Sequence, residues 1–146
     1  MAQNTFHVAV SVKDLPTAIE HYKKIFGIEP AKVKPDYAKF ELADPPAIIS
    51  LNLGGEPGTV SHLGIRYPGT GDVASEMVRV KHEEVDLLEQ KGTTCCYAKA
   101  DKFWVRDADG MPWEMYTLLE DAEAETAADV TLRRFLDQER ANATGV

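Results

Sequence analysis

Apolar and polar residues alternate near the N-terminus, and a helical period follows. Residues 6–12, FHVAVSV, alternate bulky apolar side chains with small or polar ones, which is the period of a β-strand with one covered face. From Asp14 to Gly27 apolar residues recur every three or four positions, which indicates an amphipathic helix. Asp14 suits an N-cap and Gly27 a C-cap, so the helix is predicted between them. Further strands are predicted at about 30–34, 37–42 and 47–53.

The same order of elements is repeated in the second half of the chain. SHLGIRY at 61–67 resembles FHVAVSV, and ADKFWVRDADGMP resembles the earlier YAKFELADPP. Apolar residues at helical spacing predict a second helix from Asp72 to Gly92. Strands are predicted after it at about 93–98, 102–107 and 112–118. The predicted fold class is α+β, with two paired βαβββ modules forming a curved mixed sheet around a metal cleft.

Both modules fall in one predicted domain, residues 1–121, with the modules at about 5–56 and 59–119. Residues 122–146 form a tail in which apolar residues at helical spacing predict a C-terminal helix. The expected role of this helix is structural, covering part of the sheet or an oligomer contact. The sequence fits either a monomer or a homodimer.

The composition is acidic and narrows the range of partners. The chain has 24 acidic and 16 basic residues and a formal net charge of −8; without a basic patch, this argues against nucleic acid as a partner. No run of about 18 apolar residues indicates a membrane span, and the N-terminus does not resemble a signal peptide. A cytoplasmic location is therefore expected, where a cysteine pair more often binds metal or reacts than forms a disulfide.

Two histidines occupy equivalent positions in the two repeats. His7 and His62 each lie on the first strand of a module, on the face opposite the large apolar residues. Glu114, in PWEMYTL, lies on such a face as well. A lone histidine on a strand is usually a packed or surface residue, but the repeat favours a shared role. When two modules pair about a pseudo-two-fold axis, these three side chains are expected to meet in one cleft.

Two histidines and one carboxylate form the facial triad that binds Fe(II) and leaves coordination positions open. Similar ligands hold Zn²⁺, and Ni²⁺, Co²⁺ or Mn²⁺ are also possible substitutes. In the first module, Ile48 stands where Glu114 stands in the second. An aliphatic residue there offers no fourth ligand, so three protein ligands are predicted.

The only two cysteines, Cys95 and Cys96, are adjacent. They are expected to begin the strand after the second helix, where neighbouring side chains reach one atom only if a loop or bulge intervenes. One alternative is that the two cysteines are small, buried and inert. Another is that they form a reversible disulfide with each other. Two thiolates also select soft atoms, and a trivalent organoarsenical, R–As(OH)2, has two bonds that exchange to sulfur and one to carbon. Lys99 and Lys102 are expected to be solvated. The alternative is that they lower the pKa of the two cysteine thiols.

Three stretches resemble the vicinal oxygen chelate superfamily: FHVAVSVKDLPTAIEHYKKIFG, SHLGIRY and DADGMPWEMY. That group contains glyoxalase I, extradiol dioxygenases, fosfomycin-resistance enzymes and bleomycin-binding proteins. The resemblance covers about residues 5–119 and implies His7, His62 and Glu114 as metal ligands. Glyoxalase I has an additional acid in its first module, and Ile48 departs from that pattern, which disfavours an isomerase.

Two further stretches, YAKFELADPPAIISLNLGG and TTCCYAKADKFWVRDADGMPWEMYTLLED, resemble the Fe(II)-dependent C–As lyases and cadmium-induced proteins of that superfamily. The resemblance implies oxidative cleavage of the carbon–arsenic bond of methylarsonous acid and reduced aromatic arsenicals, with O2 as oxidant and arsenite as product. It implies that Cys95 and Cys96 bind the arsenic. The alternatives are a protein that sequesters cadmium or arsenicals without turnover, and another metal-dependent member such as a dioxygenase or thiol transferase.

Overall fold

The structure is a computed structural model that describes residues 3–95 and 98–121, with only the backbone described at 91–95, 98, 99, 120 and 121. The chain divides into two compact units. The N-terminal unit is Thr5–Leu63, and the C-terminal unit begins at Gly64 and includes residues 3 and 4. The predicted helix in the tail, 122–146, lies outside the described residues.

The order βαβββ occurs twice. The first copy consists of β1 (Thr5–Val12), α1 (Leu15–Phe26), β2 (Lys32–Lys34), β3 (Tyr37–Ala43) and β4 (Pro46–Leu53). The second consists of β5 (Val60–Arg66), α2 (Thr70–His82), β6 (Leu87–Cys95), β7 (Ala98–Arg106) and β8 (Pro112–Asp121). Eight strands with parallel and antiparallel pairing, together with two helices, confirm the predicted α+β class. Neither of these two helices combines the length and the apolar character that crossing a bilayer requires.

In the N-terminal unit the strand order is β2-β3-β4-β1, followed by the first half of β5. Strands β1 and β4 are parallel, whereas β4, β3 and β2 are antiparallel to their neighbours. Helix α1 covers one face through a buried cluster formed by Leu15, Ala38, Phe40 and Leu51. Val10 and Val12 of β1 pack against this cluster. Because side chains alternate along a strand, His7 lies on the opposite face of β1.

Helix α1 begins and ends at the predicted caps. The Asp14 carboxylate accepts a hydrogen bond from the backbone N–H of Thr17 at 3.0 Å, and Gly27 takes a left-handed φ of 69° while its N–H donates to the Lys23 carbonyl. Hydrogen bonds from the Thr17 hydroxyl and then from its backbone lower the pKa of Asp14. A carboxyl with a lowered folded-state pKa stabilises the fold above its unfolded pKa, and this contribution is lost as the pH falls.

In the C-terminal unit the second half of β5 is followed by β8, β7 and β6. Strands β6, β7 and β8 are antiparallel. Helix α2 covers one face through a buried cluster formed by Tyr67, Val73, Val80 and Phe103. Met115 of β8 packs against this cluster, so the neighbouring Glu114 lies on the opposite face of the strand.

The second helix is shorter than predicted. It ends at His82, not at Gly92, because Glu84 takes a left-handed φ of 60° that a continuing helix does not allow. Leu87 and Leu88, which fitted the apolar side of the helix, instead belong to β6 and pair with β7. Adjacent leucines fit either period, and the pairing with β7 decides between them.

Candidate functional site

Two histidines lie side by side in the N-terminal unit. The ring centroids of His7 and His62 are 5.6 Å apart, with an angle of 60° between the ring planes. A ring nitrogen of one lies within 4.8 Å of a ring nitrogen of the other. Both side chains are buried, whereas His21 and His82 are exposed on the helices. Two buried imidazoles this close are well placed to share one ion.

A serine holds each of the two buried rings. The Oγ of Ser50 is 3.0 Å from Nε2 of His7, and the amide of Asn52 donates to the same Oγ at 3.4 Å. The Oγ of Ser61 is 3.2 Å from Nδ1 of His62. Metal-binding histidines characteristically have such an outer hydrogen bond, which fixes the orientation of the ring.

Ile48 stands at the position where a fourth metal ligand could have been present in the first module. Its Cα is the partner of the His7 Cα in the parallel pairing of β1 with β4. The residue is buried, with 1% of its surface exposed, and lies on the same strand face as Ser50. An isoleucine has no donor atom for a metal, so the face of β4 next to His7 offers a hydroxyl but no carboxylate.

Glu114 is buried in the C-terminal unit and forms an ion pair with Lys102. The Nζ of Lys102 donates to Oε2 of Glu114 at 2.5 Å, and the two residues are 4% and 5% exposed. The expectation that Lys102 is solvated is therefore wrong. Lys102 shares one face of β7 with Ala100 and Trp104, which are both buried. It therefore faces inward, where the Glu114 carboxylate compensates its charge.

The buried donor groups of the two units fit a transition metal. Imidazole nitrogen suits zinc, copper, iron and nickel, and with a carboxylate it forms the three-ligand set of non-haem Fe(II) sites. Calcium and magnesium instead prefer sets made of oxygen atoms. His7, His62 and Glu114 supply two imidazoles and one carboxylate, all buried, so their chemistry agrees with the predicted Fe(II) and its substitutes.

The adjacent cysteines fall largely outside the described residues. Strand β6 ends at Cys95, whose Cα pairs with that of Ala98 on β7, so the prediction that the pair begins a strand is wrong. An irregularity in register occurs upstream, between Gln90 and Thr93. The side chain of Cys95 and all of Cys96 lie outside the described residues, and their contact with arsenic stays a prediction.

The family model for the Glyoxalase/Bleomycin resistance protein/Dioxygenase superfamily matches residues 5–115. The chain belongs to this superfamily. The match spans both copies of the βαβββ order and includes His7, His62 and Glu114. The predicted resemblance to the vicinal oxygen chelate group is thereby confirmed.

Several characterised proteins are similar to this superfamily member. The trivalent organoarsenical cleaving enzyme of Bacillus sp. (strain MD1) is 43% identical over 113 residues, which cover 75% of this chain and 70% of that enzyme. Cadmium-induced protein CadI of Mycobacterium bovis is 42% identical over 117 residues, or 80% and 77% of the two chains. Homoprotocatechuate 2,3-dioxygenase from Arthrobacter globiformis has a similar structure, with a TM-score of 0.61, 18% identity, and coverage of 89% of this chain and 39% of that one.

The sequence interpretation overlooked Gly64. A Cβ built on this residue would lie 2.5 Å from the backbone oxygen of Glu114 and 3.3 Å from its Cβ. Strand β5 therefore approaches the backbone of β8 so closely that only glycine fits. A glycine inside an alternating strand, as in SHLGIRY, is the signal that indicates such an approach.

Gly64→Ala is expected to lower the free energy of unfolding by about 1–3 kcal/mol, the usual cost of overpacking. The contact is with backbone, which cannot rotate away, so the Glu114 strand must shift. Urea denaturation of the metal-free protein measures the effect. The matched control is Gly71→Ala in the first turn of α2, where a Cβ meets nothing within 4 Å, and no loss of stability is expected. Equal midpoints for the two variants would contradict the close approach.

Proposed function

We propose that this superfamily member is an Fe(II)- and O2-dependent C–As lyase acting on trivalent organoarsenicals. The observation that carries the proposal is the identity of 40–43% to enzymes named for cleaving trivalent organoarsenicals. The adjacent pair Cys95 and Cys96 and the buried pair His7 and His62 supply chemistry that this reaction requires. Its need for reduced thiols agrees with the cytoplasmic location expected from the composition.

In this proposal His7, His62 and Glu114 hold the metal together. The two imidazoles are neighbours in the N-terminal unit. His62 and Gly64 share one face of β5, since they are two residues apart on a strand. A Cβ added to Gly64 would in turn meet the backbone and Cβ of Glu114. The proposed centre has two nitrogen ligands and one oxygen ligand, the set expected from the sequence.

The proposed role of the cysteines is to bind the substrate covalently before it reacts. The two thiols of Cys95 and Cys96 replace the two hydroxyls of R–As(OH)2, so two As–S bonds form, two As–O bonds break and two waters leave. The As–C bond is untouched by this exchange and is held for the reaction. Fixing a reactant in this way replaces an encounter in solution by a high effective molarity.

Fe(II), when bound, supplies the activation of O2 that the cleavage requires. The C–As bond breaks, the carbon is oxidised, and O2 is the oxidant that is reduced. For methylarsonous acid the atoms balance as CH3As(OH)2 + O2 = HCHO + As(OH)3. The chain's own contribution is to hold the arsenic through Cys95 and Cys96 while the buried ligands orient the metal.

Anaerobic reconstitution followed by admission of air tests the proposed reaction. The protein is loaded with Fe(II) and one equivalent of methylarsonous acid, and arsenic species are separated before and after exposure to air. Arsenite and formaldehyde are expected in equal amounts after air is admitted, and neither before it or without Fe(II). If methylarsonous acid is recovered intact with both Fe(II) and O2 present, the protein is not a lyase for it.

The similarity to cadmium-induced protein CadI favours a second candidate, sequestration of cadmium or arsenicals without turnover. Such a protein needs neither Fe(II) nor O2 and releases no product. In the same experiment it would retain methylarsonous acid stoichiometrically in air. A third candidate, another reaction of the superfamily, predicts turnover of a substrate that lacks arsenic.

A further inference from the structure

We propose that Lys102 is a positioning residue that restricts Glu114 to a single metal-binding oxygen. This inference rests on the proposed metal site and deepens it. The ammonium of Lys102 contacts Oε2 of Glu114 at 2.5 Å, which assigns the other oxygen, Oε1, to the metal. A carboxylate held in this way occupies one coordination position instead of two.

The ion pair is enclosed on the inner face of the C-terminal unit. Side chains of Lys102 and Glu114 are only 3% and 7% exposed. In the β7–β8 pairing, Lys102 stands opposite Tyr116 and Trp104 opposite Glu114, so the two ionic groups lie diagonally across adjacent strands. Water therefore has little access to the carboxylate, and the orientation of Glu114 depends on the ammonium.

Aromatic rings keep the ammonium in place. The Nζ of Lys102 lies 5.8 Å from the ring centroid of Trp104 and 5.9 Å from that of Tyr116, distances at which a cation is attracted to the ring face. The indole N–H of Trp104 donates in turn to Oε1 of Gln90 at 3.3 Å. A lysine is normally flexible, but this one is held by Glu114 and by two rings, one of which is fixed by Gln90.

A contribution to fold stability does not by itself explain the buried ion pair of Lys102 and Glu114. Removing two charges from water costs about as much free energy as their attraction contributes. Apolar side chains of similar volume stabilise a core equally well. Orienting a ligand is a different requirement, which an apolar residue at position 102 cannot meet. Outer hydrogen bonds to metal ligands typically change metal affinity by about 10–100-fold.

The test uses Co²⁺, which binds iron sites and has visible absorption bands that depend on coordination. Lys102→Met is expected to change the visible spectrum of bound Co²⁺, because Glu114 is released to bind through both oxygens. It is also expected to change the Co²⁺ affinity about 10–100-fold in a chelator competition, the usual effect of an outer partner of a metal ligand. The Lys102→Gln side chain is one atom shorter but still donates a hydrogen bond. Its Co²⁺ affinity and visible spectrum are expected to lie between those of Lys102→Met and the wild type. Circular dichroism confirms that each variant is folded.

Lys23→Met on α1 is the matched control, since Lys23 is also a partly buried lysine, with a side chain 30% exposed and an acidic partner, Glu29, at 3.2 Å. It is expected to bind Co²⁺ as the wild type does. Wild-type affinity and spectrum in Lys102→Met overturn the inference. If that variant does not fold, Lys102→Gln decides by the same two readouts, and wild-type values in it overturn the inference.

Glu114→Gln separates this inference from the metal site on which it rests. Loss of Co²⁺ binding in Glu114→Gln, with unchanged binding in the Lys102 variants, overturns only the positioning role. Unchanged binding in Glu114→Gln overturns the metal site itself, and the positioning role with it.

Discussion

His62→Ala is expected to weaken metal binding by more than about 100-fold and to abolish cleavage of organoarsenicals. Loss of an outer partner of a metal ligand already costs about 10–100-fold, and this change removes a proposed ligand. The adjacent thiols stay intact, so capture of methylarsonous acid is expected to persist. Metal affinity is measured with Co²⁺ or Fe(II) under anaerobic conditions, and capture by the arsenic that remains with the protein after gel filtration.

His82→Ala is the matched control for this prediction. His82 is exposed at the end of α2, and its removal is expected to change neither metal affinity nor turnover. Wild-type metal binding in His62→Ala would show that the buried imidazole pair has a packing role only. Loss of arsenic capture together with the metal would show that capture depends on the metal, contrary to the proposed division of roles.

Cys95→Ser and Cys96→Ser are expected to have the reverse effect, with metal content retained and substrate capture lost. In the proposed capture, two sulfurs from one chain chelate the arsenic, and the second bond benefits from the high local concentration that the first creates. Such linkage is worth about 10²–10⁴-fold in affinity, and a single remaining thiol forfeits it. Capture is measured as a binding constant for methylarsonous acid, and turnover by arsenite release in the presence of Fe(II) and O2.

Thr94→Ser serves as the control for the cysteine variants, because it changes a neighbouring residue and leaves both thiols. Its affinity and turnover are expected to match those of the wild type. Cleavage at the wild-type rate by either cysteine variant would refute the proposed role of the pair. Loss of metal from the cysteine variants would instead place sulfur among the metal ligands.

The regular parts of the fold follow from short-range patterns. Strand β1 and helix α1 are correctly predicted because their periods differ and because Asp14 and Gly27 mark the helix ends. The internal repeat then supplies the second copy, including the equivalence of His7 and His62. Each of these features depends on residues near one another in the sequence, or on a comparison of one half with the other.

The errors occur where long-range contacts decide. Leu87 and Leu88 satisfy a helical period, yet pairing with β7 places them in a strand. Lys102 is polar and its sequence context predicts a solvated side chain, yet a carboxylate twelve residues away compensates its charge inside the unit. Gly64 inside an alternating strand indicates a close approach, but only its distance to Glu114 identifies the backbone that it approaches. In each case the deciding partner is distant in sequence, and the local pattern does not specify it.

Ile48 also bears on how far the folded state depends on a bound metal. The two copies of the repeat have different residues at one matched position, an aliphatic side chain in the first and a carboxylate in the second. Since Ile48 is buried and its Cα pairs with that of His7, an acid there would carry a buried charge that is costly unless a bound metal ion compensates it. An acid at this position is therefore expected to make the stability of the N-terminal unit depend on the metal, whereas the isoleucine creates no such dependence.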